Sequence, residues 1–135
     1  MLSLHYGKVP VLDENGNELL VPVQFPGRII YLKIWKINVG RISLYLMDSD
    51  INLNTELDRQ LTLKLYGGNQ EMRIGQEIIL GIGGMKLLEI LNIKPSIMIT
   101  ASHNPKEYNG FKMCAMGRDT IFGEEIQDFR RFLDT

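Results

Sequence analysis

Between residues 11 and 50 the chain reads VLDENGNELLVPVQFPGRIIYLKIWKINVGRISLYLMDSD, and its apolar residues fall into runs of partial alternation. The runs ELLVPVQF, IIYLKIWKI and RISLYLM are rich in β-branched and aromatic residues, which suit a pleated surface. Asn15-Gly16 and Pro26-Gly27 mark turns between them, and Val39-Gly40 is a weaker third signal. The pattern predicts a β-meander. Within it, Leu32, Ile34 and Lys36 share one face while Tyr31, Lys33, Trp35 and Ile37 share the other. Neither face is cleanly polar, so both are expected to be partly covered.

The period then changes. The stretch 48–66 begins polar, as a solvated turn, and becomes a short helix candidate. Over 67–93, Ile74, Ile78, Ile79, Ile82, Met85 and Leu88 recur near the helical spacing. Asn69 suits an N-cap and Glu71 the first turn. Gly75, Gly81, Gly83 and Gly84 interrupt that helix, each at roughly 1 kcal/mol against alanine. They imply close backbone packing or a break near 81–84. KPSIMIT (94–100) predicts a buried strand, Asn109-Gly110 a hairpin turn into FKMCAM, and 123–135 an amphipathic helix with Ile126, Phe129 and Phe132 on one side. The expected class is α/β: a meander, one long glycine-interrupted helix, then a strand–loop–strand–helix unit.

Length and charge narrow the field. The 135 residues fit one ordinary domain. Fifteen basic against sixteen acidic residues give no support for a nucleic-acid or membrane-surface partner. The single cysteine, Cys114, excludes an internal disulfide and predicts a reducing, cytoplasmic compartment. The start MLSLHYGKVPVL lacks the basic head and apolar core of a signal peptide, and no apolar run suffices to span a bilayer. Exposed apolar edges would favour a homo-oligomer.

Several motifs invite chemistry and fail. Asp48, Asp50, Asn52 and Asn54 alternate like a calcium loop, whose sixth and twelfth positions must be glycine and glutamate. Those positions hold Leu53 and Arg59 in one register, Thr55 and Leu61 in the other. Gly81, Gly83 and Gly84 lack dinucleotide spacing and follow a helix-like segment. His5 stands alone, and Cys114 suits a small buried residue better than a catalytic thiol.

Ser102 is different. It follows a strand, in a loop reading Ser-His-Asn-Pro, where α/β proteins place reacting groups. Asn104-Pro105 resembles a helix N-cap and first position, whose free N–H groups favour phosphate, and Lys106 and Lys112 supply positive charge. A plain polar turn, in which Ser102 and Asn104 cap backbone groups, is the alternative. No acidic partner for a hydrolase triad is evident.

IMITASHNPKEYNGFKMC (97–114), continued by GEEIQ to about residue 128, resembles the active-site serine loop of the α-D-phosphohexomutases, the phosphoglucomutase and phosphomannomutase family. The resemblance implies that Ser102 carries a phosphoryl group. It implies further that His103 and Asn104 shape the loop, that Lys112 lies near the transferring group, and that a phosphoserine oxygen ligates Mg2+. Upstream, residues from about 10 to 96 are similar to the N-terminal part of α-glucan phosphorylases. The likeness is carried by VGRISLYLMDSDINLN, DRQLTLKLYGGNQEMRIGQEIILGIGG and LEILNIKPS. That family implies pyridoxal phosphate, but its lysine is absent here, and none of its catalytic residues can be assigned.

The two likenesses switch at about 94–97, giving a 1–95 phosphorylase-like and a 96–135 mutase-like segment, neither a complete parental domain. They imply a hexose phosphate or an α-glucan as ligand. They also imply no turnover by this chain alone, since the mutase metal loop, sugar-selecting loop and phosphate-binding loop are missing. A phosphoserine fragment, a glucan-phosphorylase fragment acting as a binding or assembly piece, and a recombined chain without activity are the three functional readings.

Overall fold

The structure is a computed structural model that describes residues 7–64, 67–93, 96–100 and 110–114, with Gln127 and Arg131. It divides into two compact units, Met1–Leu87 and Leu88–Thr135.

The first unit is the expected meander with a helix on one face. Its strands are β1 (Val9–Pro10), β2 (Leu20–Phe25), β3 (Arg28–Val39) and β4 (Ile42–Asp48). β3 is the centre of a four-stranded antiparallel sheet: β1 and β2 pair with successive stretches of it, and β4 pairs with Lys33 to Val39. All three expected turn glycines have positive φ. At Pro26-Gly27, proline followed by φ 73° is a type II turn; at Gly40, φ 61° suits the first position of a type II′ hairpin.

One sheet face is the core. Val21, Val23, Ile30, Leu32 and Ile34 are fully buried there and Phe25 nearly so. On the opposite face Tyr31, Lys33 and Trp35 are half-buried and Ile37 is buried, so both faces are partly covered as expected. Lys8 and Lys33 place their Nζ atoms 3.9 and 4.2 Å from the Trp35 ring centroid. The indole Nε1 donates to Asp48 Oδ2 at 3.1 Å.

After β4 comes α1 (Glu56–Arg59), then α2 (Gln70–Ile78), a π-helical turn (Ile79–Gly83) and α3 (Gly84–Ile90). Asn69 caps α2 as predicted, accepting from Met72 N at 3.0 Å. The glycines do not break the helix. It widens into the π turn, and the buried row is Gly75, Ile79, Gly83 and Leu87. Of the expected stripe only Ile79 is buried; Ile74 and Ile82 are half exposed.

The reason is distance. A Cβ at Gly83 would lie 2.9 Å from Leu32 Cδ1 and 3.3 Å from Val23 Cγ2, so the helix backbone itself sits on the sheet. A row at every fourth residue drifts about 40° per step around an α-helix. The wider π turn offsets that drift and keeps the row over the strands.

The turn and short helix expected within 48–66 are present, with Asp50 and Asn52 exposed, but Ser49, Asn54 and Asp58 are buried, which the reading as a solvated turn did not anticipate. Among the described residues no helix is long and apolar enough to cross a membrane.

The second unit contains β5 (Ser96–Thr100) and β6 (Gly110–Cys114), an antiparallel pair. Ile97 is 58% exposed, against the expectation of a buried strand. Gln127 and Arg131 are helical and exposed, as the polar side of the expected terminal helix requires; Ile126, Phe129 and Phe132 lie outside the described residues.

Candidate functional site

The β5–β6 register fixes how the serine loop is held. Ser96 stands opposite Cys114, Ile97 opposite Met113, Met98 opposite Lys112, Ile99 opposite Phe111 and Thr100 opposite Gly110. Chain leaving at Thr100 therefore returns at its antiparallel partner Gly110, about 5 Å away at Cα. Of the Asn109-Gly110 turn signal, Gly110 already pairs in β6 and Asn109 lies outside the described residues.

Ser102, His103, Asn104 and Lys106 all fall in 101–109, outside the described residues. Lys112 is on β6, at the register of Met98. Lys112 thus stands on the strand that begins where the chain returns from residues 101–109, which include the other four candidates.

Among the described residues no three His, Cys, Asp or Glu side chains converge to hold a metal ion. The one Mg2+ ligand implied by the resemblance, the phosphate on Ser102, is outside them.

The first unit carries a different polar constellation, absent from the sequence expectations. Arg28 donates from Nε to Asp58 Oδ2 and from Nη2 to Asp58 Oδ1, both at 2.8 Å. The guanidinium holds the Asp58 carboxyl below its ordinary value, and the carboxylate in turn raises the Arg28 value. Thr55 caps α1 by accepting from Asp58 N at 3.2 Å and donates to Asp58 Oδ2 at 2.9 Å.

Asn54 replaces a strand. Its Oδ1 accepts from Tyr31 N at 2.9 Å and its Nδ2 donates to Tyr31 O at 2.7 Å and Ser49 O at 2.8 Å. β4 ends opposite Lys33, so the amide continues the ladder along β3. The spacing Thr55-x-x-Asp58, a capping signature, was the signal that could have found part of this cluster. Every described polar contact here is internal, which makes it an anchor for the 49–59 segment.

Comparison with known proteins finds two likenesses, on different parts of the chain. Residues 85–128 match the family model for phosphoglucomutase/phosphomannomutase, alpha/beta/alpha domain I. A phosphoglucomutase of Neisseria meningitidis serogroup B is 53% identical over 38 residues, 28% of this chain and 8% of its own length.

A different and larger part resembles phosphorylases. Maltodextrin phosphorylase of Thermococcus litoralis is 44% identical over 89 residues, 66% of this chain and 11% of its own. Glycogen phosphorylase of Aquifex aeolicus is 37% identical over 83 residues, 62% of this chain and 12% of its own. The chain thus spans about a tenth of the length of the curated relatives it matches. No solved structure matches it. The relatives on both sides are enzymes of carbohydrate-phosphate metabolism, and the chain is chimera-like in its resemblances.

Proposed function

We propose that the functional centre is the 101–109 loop, and that Ser102 takes up and gives back a phosphoryl group in phosphohexomutase-type chemistry on a hexose phosphate. The observation that carries this reading is the family match over 85–128, which contains the whole Ser-His-Asn-Pro loop and both strands that hold it. In the reaction a phosphate ester of the sugar breaks its O–P bond as Ser102 Oγ forms one. The serine proton passes to the sugar oxygen, and the reverse transfer returns the group to a second hydroxyl.

Such transfer depends on position and charge neutralisation more than on a strong base. His103 and Asn104 shape the loop, while Lys106 and Lys112 offset phosphoryl charge. Residues 1–95 and 96–135 form the phosphorylase-like and mutase-like segments of a cytoplasmic protein. The chain alone accepts the group without sustained turnover.

Incubation of the full chain with 32P-labelled glucose 1,6-bisphosphate tests this. An acid-stable label on Ser102, absent from Ser102→Ala, is the expected result; an unlabelled wild-type chain overturns it. The greater extent of the phosphorylase likeness favours a second reading, a glucan-binding piece. It is supported if the same two proteins remain unlabelled and bind maltodextrin equally. Neither label nor binding leaves the inactive recombined chain.

A further inference from the structure

The two edges of the first unit's sheet are built differently. The hydrogen-bonded alternation can be read from its ends. Val39 and Ile42 flank the hairpin turn and form its first bonded pair. Residues 42, 44, 46 and 48 therefore bond inward to β3, and Ser43, Tyr45 and Met47 direct their N–H and C=O groups away from it. The same alternation on the other side of β3 turns Leu20, Pro22 and Gln24 outward on β2, and Pro10 outward on β1.

The β1–β2 edge is blunted. Pro10 and Pro22 have no N–H to offer, and neither proline gives up a ladder bond by standing where it does. The outward Pro22 carbonyl accepts from Lys86 Nζ at 2.8 Å, which also confirms the phase of the alternation. The Gln24 amide folds back onto the carbonyls of Phe25 and Arg28 at 2.8 and 3.0 Å.

The β4 edge has none of these devices. Ile42 to Met47 contains no proline and no charged residue. Ile42 is 70% exposed. Among the described residues, β4 pairs with β3 alone, and the outward backbone groups of Ser43, Tyr45 and Met47 have no partner. An uncharged, unpaired edge of this kind is a template for another strand.

We infer that β4 is a self-association edge, and that a second copy of this chain pairs its own β4 against it, antiparallel, about a two-fold axis at Tyr45. The strand is self-complementary in this arrangement, in phase and in charge. Ser43 then faces Met47 of the second copy and Tyr45 faces Tyr45, so each outward residue meets an outward residue and every free donor finds an acceptor. Leu44 faces Leu46 of the second copy between them. No like charges oppose each other, and the isologous contact closes at two copies. The inference is independent of Ser102.

Sedimentation velocity of the full chain over a concentration series tests it, with hydrogen exchange at single amides. The expected species is twice the monomer mass, with exchange at Ser43, Tyr45 and Met47 slowing as dimer forms. Tyr45→Pro removes an outward N–H that β3 does not use, and Tyr45→Lys sets two ammonium groups face to face across the axis. Both are expected to sediment as monomers with cooperative melts, while Gln24→Lys, on the other edge, stays dimeric.

A wild-type monomer at every concentration overturns the inference. So do assemblies larger than a dimer, or a dimer kept by folded Tyr45 variants. If neither variant melts cooperatively, the wild-type exchange decides alone: concentration-independent rates at the three amides overturn it.

Discussion

Asp58 shows how much of the first unit hangs on single polar side chains. Its carboxylate is buried, accepts both arms of Arg28 and ties down the cap of α1. Asp58→Asn keeps the shape and loses the charge-assisted pair, which corresponds to about 2 kcal/mol for hydrogen bonds to a charged group with a half-exposed partner. The expected result is a lower urea midpoint for the variant at neutral pH.

The sign with pH follows from the lowered folded value. The contribution is full above the ordinary carboxylate value of 3.8 and fades as pH falls through the depressed one. The gap between wild type and Asp58→Asn should therefore close on acidification below that range. The sequence shows the turn and the helix start but not the buried anchor, because its polar residues are local and their partners are not. Arg28 and Tyr31 lie far upstream, and nothing in the 48–59 pattern announces them.

Among the elements, the long helix tests the packing argument. Gly83→Ala forces a methyl against Leu32 and Val23, both fully buried and without room to yield, and should cost about 1–3 kcal/mol. Gly81→Ala meets nothing within 4 Å and should stabilise by about 0.5–1 kcal/mol. Paired urea melts of the two variants would show midpoints moving in opposite directions; equal shifts would sink the account.

The contrast also explains which features were legible beforehand. Strands, turns and the Asn69 cap were readable because their signals are local. The helix face was misread because the residues nearest the sheet are glycines, which no hydrophobic pattern counts. At the candidate site the two strands were readable. Their register was not, because the pairing of Thr100 with Gly110 has no local signal.

For the whole molecule, the division at Leu87 and Leu88 gives each unit its own internal contacts. Trp35, the chain's only tryptophan, belongs to the first unit and sits between Lys8 and Lys33. Its fluorescence should follow the unfolding of that unit. The midpoint recorded at Trp35 is expected to fall in Gly83→Ala and to remain unchanged in Ser102→Ala. A shift in Ser102→Ala would show that the serine loop contributes to the stability of the sheet unit.

Lys86 has a consequence beyond its single hydrogen bond to Pro22. A sheet with two open margins grows without limit, because each addition exposes a fresh margin. With Lys86 and two prolines stopping one margin, the molecule behaves as a chain terminator: it can be joined once and offers nothing to the next arrival. A modification that neutralised this one ammonium group would loosen the stop on the side opposite β4, and the difference between a closed pair and a ribbon would then rest on Pro10 and Pro22.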